Sequence, residues 1–310
     1  MTRLLAVGLL ALAIAPFALT SQYLVNIAML TAFSAFIGQC WNIAGGFGGL
    51  TSFGHAVFFG VGAYAVAILE TRTGLSPWLG FPLALVAGGA VGTVIGLAAF
   101  RAGLRGSYFA LVTLAFAETF RVVANSTDLT NGGLGINVPF RAGLDHLQFT
   151  DRRASYAIVL VLLALATGVA FWLTRSRFGA QLVAVRENED AARALGINLV
   201  RTKTVALAVS GALTALGSVV YAQTYLYIDP GIAFGVDRSV EMLLVAMIGG
   251  AGTVAGPLLG AIVLHLIADT SRAWIDTPGF APMLYGVVLL LIIGALPGGI
   301  AGLRMRFARA

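Results

Sequence analysis

Residues 154–174 read ASYAIVLVLLALATGVAFWLT and run without a break into residues 175–203, RSRFGAQLVAVRENEDAARALGINLVRTK. The first stretch carries no charge and has the length that a helix needs to cross about 30 Å of hydrocarbon. The second is polar, with Arg175, Arg177, Arg186, Arg193, Arg201 and Lys203 among the acids Glu187, Glu189 and Asp190. That boundary decides the fold. The chain reads as an all-α, polytopic integral membrane helical bundle, a single transmembrane domain over 1–310. The 175–203 loop leaves the bilayer and is large enough to dock a soluble partner.

Composition agrees with this reading. Of 310 residues, 59% are hydrophobic and only 10% charged, and the mean hydropathy is +0.92. A soluble domain of this size needs far more charge to cover its surface. The net charge of +6 is accounted for by Arg and Lys retained on cytoplasmic loops. The basic residues are scattered and lack the interleaved aromatics of a strand-binding groove, so no nucleic acid is expected as a partner; membrane lipid is. Cys40 is the single cysteine, which excludes an intrachain disulfide.

Working outward, apolar spans are expected at 4–20, 22–42, 50–70, 77–99, 106–124, 154–174, 204–222 and 280–296, about eight in all. The first could be a signal peptide, with Arg3, an apolar run and small residues near Ala18. The apolar spans that follow at once favour a first spanning helix. Residues 238–268 are too long for one straight helix and short for two, and Gly249-Gly250-Ala251-Gly252 and Gly256-Pro257 break them. Arg3, Arg101/Arg105, the 175–203 loop and the Arg304/Arg306/Arg309 tail fall on one side if 238–268 crosses an even number of times, as a broken pair or a re-entrant hairpin. The positive-inside rule then makes that side, with the C-terminus, cytoplasmic. Residues 125–153, with three Asp against three Arg, form an extracytoplasmic loop.

Glycine marks two kinds of place. A Gly-Gly-x-Gly break occurs at Gly45-Gly46-Phe47-Gly48 and again at 249–252, a pattern compatible with an internal duplication. Spacing of four at Gly88/Gly92/Gly96, Gly252/Gly256/Gly260 and Gly294/Gly298 puts smooth stripes on helix faces. Such stripes suit close packing within the chain or, alternatively, between subunits.

Little here points to catalysis. His55, His146 and His265 stand far apart with no carboxylate or cysteine at metal-ligand spacing, so neither a catalytic nor a metal site is expected. Gly60-x-Gly62-x-x-Ala65 and Gly250-x-Gly252-x-x-Ala255 imitate a dinucleotide fingerprint, but lie inside membrane runs without a strand–helix–strand frame. The single lysine, Lys203, is not in a phosphate-binding loop. No cofactor is expected on this chain, and any ATP must be bound by another subunit. Glu118 and Arg121, three apart on one helix, are placed to pair.

Two segments are candidates for function. Gly45, Gly46, Gly48, Gly49, Thr51, Ser52 and His55 lie in a stretch with five glycines in residues 45–54. Glycine weakens helix there, and freed backbone groups need partners. The segment is either a broken helix beside a translocation path or a tight turn between two spans. In the polar loop, Leu182, Val185, Ala191, Ala192 and Leu195 recur at helical intervals between residues 178 and 195, and Gly196 supplies a stop. Such an element fits a partner's cleft, with its charges setting orientation. An amphipathic helix on the membrane surface is less suited, because three acids would face anionic lipid.

The sequence of this loop resembles a known family. Asp190-Ala191-Ala192-x-x-x-Gly196 is similar to the EAAxxxG coupling motif of ABC importer permeases, with Asp at the Glu position. RENEDAARALGIN (186–198) and NIAGGFGGLTSFGHAVFFGVGAYAVA (42–67) resemble branched-chain amino acid permeases of the LivM type. RGSYFALVTLAFAE (105–118) and TNGGLGI (130–136) are like that branch rather than its LivH partner. The Ile-x-Leu-Pro that ends the longer EAA pattern is missing here. The resemblance implies a permease of the bacterial inner membrane, not itself an enzyme. It implies a LivH-like second permease, two cytoplasmic ABC ATPase subunits and an extracytoplasmic amino-acid-binding protein as partners. Arg186, Glu187, Glu189, Asp190, Ala191, Ala192 and Gly196 would couple the ATPase to transport. Remaining alternatives are an ion-coupled secondary transporter or channel, and an ABC permease for urea or short amides.

Overall fold

A computed structural model of the chain describes residues 21–274 together with 283–284, 286–287 and 298–302. The expected span at 4–20 and the 304–309 tail lie outside these residues, as do Gly294 and most of the span expected at 280–296.

The described residues are mainly helical: α1 Gln22–Asn42, α2 Ala56–Ile68, α3 Gly80–Arg101, α4 Gly106–Ser126, α5 Arg152–Leu173, α6 Arg177–Glu187, α7 Glu189–Ala194, α8 Leu199–Tyr225, α9 Pro230–Phe234, α10 Val236–Gly249 and α11 Gly256–Trp274. Single π turns, Ile43–Phe47 and Leu69–Thr73, prolong α1 and α2. Among the described residues six helices are long and apolar enough to cross a membrane: Gln22–Phe47, Ala56–Thr73, Pro77–Arg101, Gly106–Ser126, Arg152–Leu173 and Leu199–Tyr225. Their places match the expected spans, with two shifts. The expected 50–70 span starts late, at Ala56, because residues 48–55 are irregular. The 204–222 span starts early, at Leu199, because Asn198 caps it, its Oδ1 accepting from the Arg201 N–H at 3.0 Å.

Helices α1 and α8 form the interior, and α4 the periphery. Within their spans 72% of α1 and of α8 is buried, against 22% of α4. The largest core cluster joins Phe33, Phe36 and Trp41 of α1 to Tyr156 and Leu163 of α5, Leu213 of α8 and Met242 of α10. Helix α3 lies directly on α8 through the Gly88/Gly92/Gly96 stripe. A Cβ on Gly92 would stand 2.9 Å from both Ala208 Cα and Leu207 O. That stripe therefore serves packing within the chain, where close backbone approach gains dispersion contacts.

Residues 236–274 are a helix pair. Helix α10, of 14 residues, is about 21 Å long and falls short of a full crossing. The chain turns at Gly250 (φ 121°) and Gly252 (φ 76°), and α11 returns along α10. A Cβ on Gly249 would lie 1.7 Å from Gly256 O, and one on Gly260 1.9 Å from Val245 O. This down-and-back course fits both forms expected from the sequence, a broken pair or a re-entrant hairpin.

Residues 125–151 fold over the opposite end of the bundle. Strands β1 Ile136–Asn137 and β2 Tyr227–Ile228 pair antiparallel, with Ile136 opposite Ile228. Trp78 Nε1 donates to Leu144 O at 2.8 Å, and Ser76 Oγ to Asp145 O at 2.7 Å. Gln148 Nε2 donates to Gln223 Oε1 at 2.8 Å, and Gln223 Nε2 to the buried Glu70 Oε2 at 2.6 Å. Asp151 caps α5; the Arg153 backbone N–H, and then the Gln22 side chain, hold its carboxyl below the usual carboxylate range.

Candidate functional site

The polar loop is two helices, not one. The apolar periodicity of 178–195 led to a continuous helix, but the backbone breaks at Asn188 (φ −157°, ψ 109°). The Asn188 Oδ1 accepts from the N–H groups of both Asp190 and Ala191 at 3.0 Å. A short side chain that satisfies two free helix donors favours a new start over continuation. Gly196 (φ 81°) then turns the chain, and Ile197 N donates to Ala192 O at 3.1 Å.

The split alters which residues face inward. Leu182, Val185 and Ala192 are buried, and Val185, Ala192 and Leu199 form a small core within the loop. Leu195, expected on the same apolar face, is 80% exposed instead. Its register is lost at the Asn188 break. Glu187, Asp190, Ala191 and Arg193 are also at the surface. Gly196 borders a groove of about 360 Å³ between α6 and α8, lined by Phe178, Gln181, Asn198 and Arg201.

The remaining charges tie the loop to the bundle. Arg105, just before α4, reaches Glu189 Oε2 at 2.9 Å and Asp190 Oδ1 at 3.5 Å. Lys203, almost fully buried, pairs with the other Glu189 oxygen and lies 5.3 Å from the Phe100 ring centroid. Arg186 makes the most consequential contact. Its Nε and Nη2 donate to Glu187 Oε1 at 3.1 and 2.6 Å, and its Nη1 donates to Gly46 O at 3.0 Å. That carbonyl lies in the π turn, where the regular i−4 bond is lost and an outside donor is needed.

Both Gly-Gly-x-Gly breaks converge on this contact. Asn42 Oδ1 accepts from Gly252 N at 2.8 Å, and its Nδ2 donates to Thr253 O at 2.9 Å. A Cβ on Gly46 would sit 1.9 Å from Asn42 Oδ1 and 2.4 Å from Gly252 N. A Cβ on Gly252 would sit 2.8 Å from Arg186 Nη1, and one on Gly49 2.6 Å from Arg186 Cγ. Glycine is therefore required on sterics, and at Gly49 (φ 66°) and Gly252 also on backbone conformation. The breaks at 45–48 and 249–252 form one joint beneath the loop, with Arg186 in its centre.

Apart from the exposed Thr51, the rest of the 45–55 segment is packed inside the chain. Gly48 rests near Leu182 of α6, and Gly45 against the Trp41 ring. Trp41 Nε1 donates to Ser52 O at 2.9 Å, and Ser239 Oγ accepts from Ala56 N at 2.8 Å. The His55 Nε2 bonds Ser210 Oγ at 2.8 Å, and Ser210 Oγ donates to Cys40 O at 2.6 Å. His55 and Ser52 are buried, whereas Thr51 is exposed. The structure therefore gathers the two candidate segments into one assembly. Asn42, Arg105, Lys203 and Gly252 also belong to it. The second Gly-Gly-x-Gly pointed to Gly252; nothing in the spacing pointed to Asn42 or Arg105. Among the described residues no group of three or more His, Cys, Asp or Glu side chains is arranged to hold a metal.

Comparison with known proteins gives a consistent result. Residues 23–295 match the family model described as branched-chain amino acid transport system / permease component. The chain is 30% identical to the high-affinity branched-chain amino acid transport system permease protein LivM of Escherichia coli K12, over 96% of this chain and 74% of that one. It is 25% identical to LivH of the same organism, over 91% of this chain and 95% of that one. A probable LivM of Methanocaldococcus jannaschii is 24% identical over 84% and 87% of the two chains. No solved structure matches.

Proposed function

This chain belongs to the branched-chain amino acid transport permease family, and from that premise we propose how its parts divide the work of an ABC importer. It is a multi-pass inner-membrane permease, a membrane component rather than an enzyme. In our reading it pairs with a LivH-like permease around a shared pathway. Two cytoplasmic ATPase subunits bind and hydrolyse ATP, and an extracytoplasmic binding protein delivers the amino acid. No cofactor binds this chain itself. Eight spans cross the bilayer, the α10–α11 pair enters it and returns, and the C-terminus lies in the cytoplasm.

The observation that carries the mechanism is the contact of Arg186 with the Gly46 carbonyl. The exposed side of the loop, Glu187, Asp190, Ala191 and Leu195, meets an ATPase cleft. Ala192 and Gly196 keep the loop's shape. Arg186, through the Gly46 carbonyl, and Glu189, through Arg105 and Lys203, fasten it to the bundle. When the ATPases close, the loop moves as a rigid lever, and the push reaches the joint where α1 and α10 both end. Gly45, Gly46, Gly48, Gly49, Thr51, Ser52 and His55 then act as a hinge at the inner end of the pathway. A helix broken at glycine has two backbone arrangements within reach, as such a switch requires.

Extraction in mild detergent, followed by assay of bound ATPase and of leucine uptake after reconstitution, tests this reading. The unaltered protein retains an ATPase and takes up leucine. Asp190→Arg leaves folded protein in the membrane but loses the ATPase, because Asp190 is 75% exposed on the docking side and charge reversal there breaks the electrostatic match that fixes the register of an interface. A protein recovered alone under several mild detergents, with uptake driven by an ion gradient, would replace the importer by a secondary carrier. Uptake of urea or acetamide in place of leucine would change the substrate class.

A further inference from the structure

Helix α4 carries an ion pair where a lipid-facing helix should have none. Arg121 Nε donates to Glu118 Oε2 at 2.9 Å, and Nη2 to Oε1 at 2.5 Å. Glu118 lies thirteen residues beyond Arg105 in sequence, hence about 20 Å along the helix axis from the loop end, well inside a hydrocarbon layer of about 30 Å. Snorkelling does not explain the pair, since Arg121 folds back towards Glu118 in the turn before it. Its side chain stays 40% exposed and that of Glu118 49%, and among the described residues the Nη1 edge of Arg121 has no partner.

The surroundings have the same character. Tyr108, Leu111 and Val122 are all more than half exposed, and Ala115 is exposed as well. With Glu118 they recur at intervals of three and four, forming one stripe along the helix. An ion pair open to acyl chains is costly, and charged groups inside a membrane face water or protein. The face of α4 is therefore covered in the assembled transporter by something that accepts both charges.

We infer that this face lines the amino acid's route, with Arg121 receiving the substrate's carboxylate, Glu118 its ammonium group, and Ala115 and Val122, within a turn of the pair, its aliphatic side chain. This rests on the reading of the chain as an amino acid permease and names the chemistry that recognises the substrate in transit. A resting Glu–Arg pair carries no net charge, and neither does a zwitterion, so the exchange of one set of partners for the other leaves no charge unpaired. Ala115 and Val122, the stripe residues nearest the pair, offer no side-chain hydrogen bonds, which suits a branched hydrocarbon side chain.

The test uses the complete reconstituted transporter, with the partner permease, ATPases and binding protein, and radiolabelled leucine. Three variants are compared: Glu118→Gln, Arg121→Gln and the double change to Leu at both positions. Each is expected to assemble at the unaltered level, to hydrolyse ATP, and to carry leucine at least about tenfold more slowly, the order expected when a desolvated charge loses its partner. The double variant is decisive. Replacement of a merely structural ion pair by apolar residues is neutral or stabilising, so transport at the unaltered rate by that variant would overturn the inference. Loss of the partner permease from any variant would overturn it too, in favour of a subunit interface. Absence of leucine uptake by the unaltered complex would instead remove the functional reading, and the inference with it.

Discussion

The two ends of this molecule are held together by different chemistry. At the loop end the contacts are charged: Arg186 reaches the Gly46 carbonyl, and Arg105 and Lys203 pair with the Glu189 carboxylate. At the other end they are distributed and contain no ion pair among those named: a two-residue strand pair, indole and hydroxyl donors on backbone carbonyls, and the Gln148–Gln223–Glu70 chain. The loop end contains both glycine breaks, with Gly49, Gly250 and Gly252 at positive φ. The far end has its loop pinned at many points. Under the proposed mechanism the first end is the one that is pushed, and the second stays closed over the helix ends.

Substitutions can break this comparison at either end. The largest effect is expected for Gly46→Val. Its Cβ would collide with Asn42 Oδ1 and Gly252 N at 1.9 and 2.4 Å. Overpacking against fixed backbone costs about 3 kcal/mol, so the yield of folded protein and its melting temperature in detergent should both collapse.

At the far end, Gln223→Leu removes the donor to Glu70 and the acceptor for Gln148. Two buried polar groups lose a partner, at about 2 kcal/mol in total. A lower melting temperature with an unchanged transport rate per folded complex is the expected outcome; a rate that fell with stability intact would make this end part of the moving machinery.

The smallest effect belongs to Arg193→Gln. The Arg193–Asp190 pair is 3.7 Å apart, with side chains 63% and 75% exposed. Exposed pairs of this kind contribute within about 0.5 kcal/mol, so melting temperature and uptake should both stay as they were. A clear loss of ATPase binding would show that Arg193 itself contacts the partner.

Much of this architecture was legible in the sequence, and the reasons for the exceptions are physical. Spans such as 22–42, 106–124 and 154–174 were visible because backbone in hydrocarbon must be helical, and apolar length alone reveals it. The turn at 249–252 was visible because glycine is nearly alone in tolerating the required φ. The single loop helix was wrong because Asn188 fits either a helix interior or a cap, and only its side-chain bonds decide. Leu195 followed that error to the wrong face. The meeting of Gly46 with Gly252, about two hundred residues apart, is a tertiary fact that no local pattern encodes. Only the repeated Gly-Gly-x-Gly hinted at it. Glu118 and Arg121 were readable as a pair, but their outward aim needed the packing of α4.

The central claim is that the loop drives the glycine joint through Arg186, and one variant separates driving from docking. Arg186→Met keeps the apolar stem of the side chain and removes its bond to Gly46 O. In the reconstituted complex the account predicts normal assembly and continued ATP hydrolysis, with leucine uptake per ATP reduced about tenfold, near the upper range for loss of one coupling contact. Unchanged uptake per ATP in an assembled Arg186→Met complex would contradict it.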